Sequence, residues 1–130
     1  TDSYLYEQET GYDADGSPMT NVYIESSDFD IGEGEQFSFI SRIIPDIRFL
    51  DNSSEGQVNF VLKTRNFPGD SLATNSTSVI TSTTQQAYVR ARARQAAVRL
   101  ESDDDDVSAN TSTGWRLGAT RLDIKPDGRR

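Results

Sequence analysis

Three arginines at alternate positions are the side chains in this sequence whose spacing is best suited to binding chemistry. Arg90, Arg92 and Arg94 follow Tyr88 at intervals of two residues. In an extended strand such residues lie on one face, so their guanidinium groups would form a single row. Guanidinium groups bind phosphate or carboxylate oxygens in a bidentate way. The row is therefore predicted to bind either phosphate groups or the side chains of Asp and Glu.

Carboxylates are the better-supported partners of this row. Proteins that bind single-stranded nucleic acid usually interleave aromatic and basic residues, whereas Tyr88 is the only aromatic residue near the arginines. The chain also carries a formal net charge of −8, which opposes affinity for DNA. We therefore expect a ladder of pairs with Asp and Glu across strands or between subunits.

Two acidic segments have features of calcium sites. Asp13 and Asp15 open a pattern like that of an EF-hand loop, but the position that should hold a bidentate Glu is occupied by Ile24. An Asp-Gly hairpin turn explains these residues better. The four carboxylates of Asp103–Asp106 repel one another, so they either bind calcium or remain in water, and solvation is the expected state.

Catalytic chemistry has little support in the sequence. Asp28, Asp30, Glu33 and Glu35 would have to supply a carboxyl pair separated by roughly 5–10 Å for glycoside hydrolysis, and acidic turn residues are common. The chain contains neither His nor Cys, which removes the commonest general base and any thiolate metal site. We predict a protein that is not an enzyme and has no cofactor or metal.

Alternation of apolar and polar residues predicts strands as the elements that position these side chains. Gln57–Arg65 places Val58, Phe60, Leu62 and Thr64 on one face. Tyr88–Glu101 alternates too, although its apolar residues change phase near Gln95–Ala96, where a β-bulge would restore the pattern. A helix is the competing interpretation of Tyr88–Glu101, because Ala, Arg, Gln and Leu favour helices. That helix would have no apolar stripe, and a strand is the prediction.

The other segments predict shorter or interrupted strands. Gln36–Leu50 would place Phe37, Phe39 and Ile43 on one face, and Pro45 requires an edge, a bulge or a bend. The remaining predictions are a strand over Ser3–Gln8, turns over Gly11–Pro18 and Asp51–Gly56, a strand pattern over Asn21–Ile31, a loop with one short strand over Ser71–Gln86, a solvated hairpin loop over Ser102–Gly114 and a last strand over Trp115–Ile124.

Composition agrees with a thin β domain. The chain has 130 residues, of which 34% are hydrophobic, and short strands joined by polar turns suit this balance better than a thick helical core. We predict an all-β fold, an antiparallel β-sandwich or Greek-key-like barrel of about seven short strands, in a single domain over residues 1–130. No apolar run reaches the roughly 18 residues of a membrane span, and no signal peptide is recognisable.

Charge is distributed unevenly along the chain. Residues 1–59 carry 13 acidic and 2 basic side chains, whereas residues 60–130 carry 8 acidic and 11 basic ones. This polarity suits head-to-tail contact between copies or contact with neighbours of different charge. Pairing of the acidic half with the basic half inside one domain explains it equally well.

Six motifs follow one another along the chain: Gly56–Gly69 (GQVNFVLKTRNFPG), Arg90–Gln95 (RARARQ), Arg99–Ser102 (RLES), Trp115–Gly118 (WRLG), Arg121–Ile124 (RLDI) and the ending Pro126–Arg130 (PDGRR). Together they resemble the C-terminal region of tail proteins from short-tailed bacteriophages, of the nozzle or tail tubular type. The chain begins at Thr1 without Met, and we expect it to be the C-terminal part of a longer virion protein or a processed product. The resemblance covers about residues 20–130, because Tyr23–Pro45, with its Phe-Asp-Ile-Gly-Glu-Gly and Ile-Ile-Pro-Asp, fits the same pattern.

The resemblance implies a structural component of the virion tail, with β-rich subunits in a homo-oligomeric ring, commonly six-fold, around the DNA exit channel. It also implies attachment to fibres or other tail proteins. A net acidic wall would let DNA pass without specific binding, which leaves the basic strand for subunit contacts. The predicted interface residues are Arg90, Arg92, Arg94, Arg99, Trp115, Arg116 and Arg121.

A carbohydrate-binding β-sandwich module for attachment to the host surface is the alternative hypothesis. It would use exposed tyrosines, with Asp13 and Asp15 in a calcium-dependent site. The tyrosines concerned are Tyr4, Tyr6, Tyr12 and Tyr23. A weaker third hypothesis is an enzyme that degrades bacterial polysaccharide.

Overall fold

The computed structural model of the chain describes residues 19–33, 35–50, 56–102 and 114–128, together with Ser3, Leu5 and Gly11. These residues form ten strands, and none of them lies in a helix that could cross a membrane. The strands are β1 (Tyr23–Glu25), β2 (Phe29–Asp30), β3 (Ser38–Ile44), β4 (Ile47–Phe49), β5 (Gln57–Arg65), β6 (Ala73–Thr81), β7 (Ala87–Ala93), β8 (Gln95–Ser102), β9 (Trp115–Leu117) and β10 (Arg121–Pro126).

Three antiparallel sheets are built from these strands. The largest has the order β1-β8-β5-β6, with β2 also paired to β8, and the second has the order β10-β3-β7. The third is the two-stranded pair β4-β9. This all-β, antiparallel architecture is consistent with a β-sandwich and confirms the predicted fold class, with ten strands among the described residues instead of about seven.

One apolar core lies between the two larger sheets. Strand β5 is central, since it pairs with both β6 and β8, and its alternating Val58, Phe60 and Leu62 are fully buried as predicted. Side chains of β3 and β7 cover them from the opposite sheet. The core cluster comprises Ile31, Ile40, Ile43, Val58, Phe60, Leu62, Ile80, Val89, Ala91, Ala93, Ala96 and Leu100.

The segment Tyr88–Glu101 is extended, but it is not one strand. It breaks at Arg94 into β7, which belongs to the three-stranded sheet, and β8, which belongs to the five-stranded sheet. The predicted bulge near Gln95–Ala96 is therefore wrong. The change of apolar phase marks a bend at which the chain passes from one sheet to the other, as happens at the corners of sandwiches.

Pairing also differs from the prediction at the C-terminal end. Trp115–Ile124 is divided into β9 and β10, which pair with β4 and β3. Strand β8 pairs with β1, β2 and β5, so the predicted hairpin between Tyr88–Glu101 and Trp115–Ile124 is wrong. Acidic Asp103–Asp106, between these strands, lies outside the described residues.

Two further segments differ from the strands that the sequence predicts. Ser71–Gln86 contains the nine-residue strand β6, which is longer than predicted. In β3 the buried side chains are Ile40 and Ile43, because a register shift between Ile40 and Arg42 changes the face of the strand. Phe37 and Phe39 are only partly buried. Pro45 lies in the break between β3 and β4, which belong to different sheets, so it is not required to donate to a ladder.

Candidate functional site

Basic side chains collect on the outer side of the three-stranded sheet. In β7, Val89, Ala91 and Ala93 are buried, so the alternating Arg90 and Arg92 face away from the core and are exposed. The same alternation places Arg42 of β3, and Arg121 and Lys125 of β10, on that outer side, since their neighbours Ile43 and Leu122 pack in or against the core.

Strands β4 and β9 extend this surface. Ile47, Phe49 and Trp115 pack against the core, and the residues between them, Arg48 and Arg116, are exposed. The two arginines are directly opposite each other in the ladder. We call the outer surface formed by Arg42, Arg48, Arg90, Arg92, Arg116, Arg121 and Lys125 the basic face.

A close backbone approach connects the two parts of the basic face. The amide of Gly118 donates to the carbonyl of Asp46 at 2.6 Å, and the amide of Ala119 donates to the Asp46 carboxylate at 2.9 Å. A Cβ atom at Gly118 would collide with that carboxylate. Glycine at this position therefore allows the connection between β9 and β10 to lie close to the connection between β3 and β4.

Most cations of the basic face have no carboxylate partner among the described residues. Arg42 pairs with Asp123 at 3.2 Å, and Arg92 donates to the Asp127 carboxylate. The other five cations form no ion pair with any residue that the structure describes. They are Arg48, Arg90, Arg116, Arg121 and Lys125.

The outer side of the five-stranded sheet is different, because its basic residues are all paired. Lys63 and Arg99 both contact Glu25, at 2.7 and 3.4 Å. Arg99 also bonds Glu101 at 2.6 Å, and Arg65 pairs with Asp28. On this sheet, acids from the N-terminal half and bases from the C-terminal half neutralise one another within the domain.

This network fixes the ionisation of Glu25. The hydrogen bond from Lys63 holds the pKa of the Glu25 carboxyl below its usual value; burial opposes this shift, and the charges of Lys63 and Arg99 assist it. For Arg99, burial disfavours the charged form, but hydrogen bonding and attraction to Glu101 and Glu25 leave its pKa raised. Arg99 lies 3.8 Å above the ring of Tyr23, which holds β1 against β8.

Arg94 lies at the bend between β7 and β8 and is held by aromatic rings. Its guanidinium carbon is 4.6 Å from the ring centre of Phe37 and 5.1 Å from that of Phe67. The guanidinium carbon of Arg92 lies over the same Phe37 ring, 4.1 Å from its centre. Arg94 therefore supports the bend, and it is half-buried where Arg90 and Arg92 are exposed.

Trp115 contributes to packing within the domain. It is partly buried against the core, and its indole Nε1 donates to Ser102 Oγ at 3.1 Å.

The seven predicted interface residues lie in four different places. Arg90, Arg92, Arg116 and Arg121 lie on the basic face, Arg94 lies at the bend, Arg99 lies on the other sheet, and Trp115 lies at the edge of the core.

Sequence reasoning missed three members of the basic face: Arg42, Arg48 and Lys125. Arg42 precedes Ile43 and Arg48 follows Ile47, and both isoleucines contact the core, which is a usable signal. That signal could not show which sheet they join, because the pairing of β3 with β7 and β10 is a long-range property.

Two of the four acidic residues considered for catalysis have other contacts. Asp28 pairs with Arg65, and Asp30 accepts a hydrogen bond from Gln95 Nε2 at 2.6 Å. Among the described residues, no group of three or more acidic side chains is placed to hold a metal ion. Asp13 and Asp15, with the tyrosines Tyr4, Tyr6 and Tyr12 of the carbohydrate hypothesis, lie outside the described residues.

Tyr23, the described member of that tyrosine set, has one ring face covered by Arg99. A separate cavity of about 360 Å³ lies between β1, β2 and β8 on one side and β9 and β10 on the other. Its walls are largely aliphatic, with Ile24, Val98 and Leu122 among them. Phe29 is the aromatic residue of this lining.

No protein-family model matches this chain, and no curated protein sequence matches it.

Proposed function

We propose that this chain is a non-catalytic structural module of a bacteriophage tail, of the nozzle or tail tubular type, that contacts neighbouring tail proteins through its basic face. The observation that carries the proposal is the set of five cations without carboxylate partners among the described residues, in a chain of net charge −8. On the outer side of the five-stranded sheet, by contrast, Lys63, Arg65 and Arg99 are each paired with acids.

The electrostatics favour an acidic protein surface as the partner. Planar guanidinium groups match carboxylates in a bidentate geometry and fix the register of an interface. The partner would be an acidic surface of a second subunit or of an adjoining tail protein, and copies that bind head to tail close into a ring when the rotation permits. The overall negative charge is suited to DNA that passes without binding.

Antibody labelling of virus particles tests whether this chain is located in the tail. An antibody raised against this chain should decorate the tails of purified virions in electron micrographs. Particles whose tails remain unlabelled, while the same antibody detects the chain in infected-cell lysate, would remove the tail assignment.

Charge reversal tests the role of the basic face. The triple variant Arg90→Glu, Arg116→Glu, Arg121→Glu should fold as the wild type does but fail to enter assembled tails. The control reverses three exposed acids that are not part of the basic face, Glu33→Lys, Glu35→Lys and Asp70→Lys, and should assemble. Equal incorporation of both variants would contradict a contact through the basic face.

A further inference from the structure

Strand β6 lies at the edge of the five-stranded sheet, and it lacks the features that normally protect an edge. The sheet order places β5 on one side of β6, and no described strand pairs with its other side. Free edges expose unpaired backbone N–H and C=O groups and are usually short, charged, interrupted by Pro or covered. Strand β6 has nine residues, ATNSTSVIT, without a charged residue or a proline.

The other described edges are protected. Strands β1 and β2 have three and two residues. The free side of β7 carries the exposed Arg90 and Arg92, and β10 carries Arg121, Lys125 and Pro126. Strands β4 and β9 are three residues long and present Arg48 and Arg116. Among the described strands, β6 is therefore the one long edge without charge.

The regular part of this edge is Ser76–Thr81. A register shift opposite Leu62 and Lys63 interrupts the ladder with β5 before Ser76, and beyond it the pairing is continuous as far as Thr81. Thr77 and Val79 lie on the outer side of the sheet, and the Val79 side chain is 52% exposed. An exposed β-branched residue in such a strand gains burial when another strand is added.

We propose that β6 pairs with β6 of a second copy of this chain in an antiparallel, two-fold arrangement that joins two five-stranded sheets. Self-pairing suits this strand because it places Ser, Thr and Val opposite Ser, Thr and Val, where Thr and Ser side chains bond across the ladder and no like charges meet. Every other described edge of the second copy is short or charged. Two-fold closure is also the commonest symmetry of homo-oligomers.

The inference goes beyond the proposed function and does not depend on it, since β6 and the basic face belong to different sheets. Sedimentation equilibrium of the wild-type chain should show a concentration-dependent dimer. The variant Thr77→Lys, Val79→Lys places like charges across the pair and should weaken the dimer by about ten-fold or more. The matched control, Thr20→Lys with Val22→Lys, adds the same charge beside β1 and should leave the dimer unchanged.

Three results would overturn the inference: a wild-type chain that is monomeric at every soluble concentration, an edge variant that dimerises as tightly as the wild type, or a control that dissociates equally. Hydrogen exchange of the wild type gives a second measurement that needs no variant. Alternate amides of Ser76–Thr81 point away from β5 and should exchange more slowly in the dimer. Equal exchange in monomer and dimer would contradict pairing at this edge.

One more variant separates this dimer from contacts of the basic face. Arg90→Glu with Arg121→Glu should leave the dimer intact. If it dissolves the dimer, self-association uses the basic face, which would support the proposed function and overturn pairing through β6.

Discussion

Arg48 lies directly opposite Arg116 in the ladder between β4 and β9, on the side that faces away from the core. Like charges in this position destabilise a strand pair, and neither arginine forms an ion pair with a described residue. An isolated domain gains nothing from such a pair. A partner that supplies a carboxylate between the two guanidinium groups would gain two charge-assisted contacts.

Replacing Arg116 by Glu should therefore stabilise the isolated chain. The change removes the repulsion from Arg48 and creates a cross-strand ion pair, and we expect the free energy of unfolding to rise by about 0.5–1 kcal/mol at low salt. Urea denaturation measures this, and added salt should reduce the gain. Arg121→Glu is the control, because Arg121 lies opposite Ile44. A destabilised Arg116→Glu chain would show that the pair is not in repulsion.

Replacing Glu25 by Gln should destabilise the chain in a pH-dependent way. The carboxyl of Glu25 has a folded-state pKa below its ordinary value of 4.5, chiefly because Lys63 donates a hydrogen bond to it. Its contribution to stability is therefore present above the unfolded-state pKa and is lost as pH falls through the folded-state pKa. The variant should lose about 0.5–1 kcal/mol near pH 7.

The wild type and Glu25→Gln should approach equal stability in acid, measured as urea midpoints at a series of pH values. Glu35→Gln is the control, because Glu35 is exposed and forms no ion pair with any described residue. A stability difference between the wild type and Glu25→Gln that does not change with pH would exclude an ionic origin.

Replacing Gly118 by Ala should destabilise the chain through its contact with Asp46. The added Cβ meets the Asp46 carboxylate, which is held in place by the Ala119 amide. The Asp46 side chain is exposed and can turn aside, so the expected loss in the free energy of unfolding is that of its hydrogen bond from Ala119, about 0.5–1.5 kcal/mol. In the double variant with Asp46→Ala, the clash is absent, so the two losses should not add. Strict additivity in denaturation experiments would contradict the contact.

Replacing Leu62 by Ala should be among the most damaging single changes. Leu62 is fully buried on the central strand β5, and such truncations cost about 2–5 kcal/mol. Val79→Ala on the neighbouring strand β6 removes a half-exposed side chain and should cost no more than about 0.5 kcal/mol. Thermal or urea unfolding compares the two, and similar losses would contradict the position of the core.

The alternation of residues in β5 and β7 was sufficient to predict both strands and their buried faces. In each, every second side chain is apolar, and burial on one face of a sheet requires that spacing. The phase change near Arg94 was also visible in the sequence. Whether the chain bulges or changes sheet there depends on which strands pair on either side, and that pairing involves β1, β3 and β5, far away in the sequence.

The length of strand β6 was underestimated for a different reason. Its Ser, Thr and Asn residues are typical of loops, and only Ile80 is deeply buried. An edge strand needs little apolar surface because its ladder with β5 supplies the backbone hydrogen bonds. The basic face was predicted only in part, because Arg42 and Arg48 join Arg90 through the pairing of β3 with β7 and the continuation of β3 into β4.

Arginine-selective labelling with phenylglyoxal, followed by peptide mass spectrometry, tests the basic face most directly. The free chain and purified virions would be labelled side by side. The account predicts that Arg48, Arg90, Arg116 and Arg121 react less in the virion, whereas Arg65 and Arg99, which are paired within the chain, react to the same extent in both. Unchanged reactivity of the four arginines in the virion would contradict a contact through the basic face.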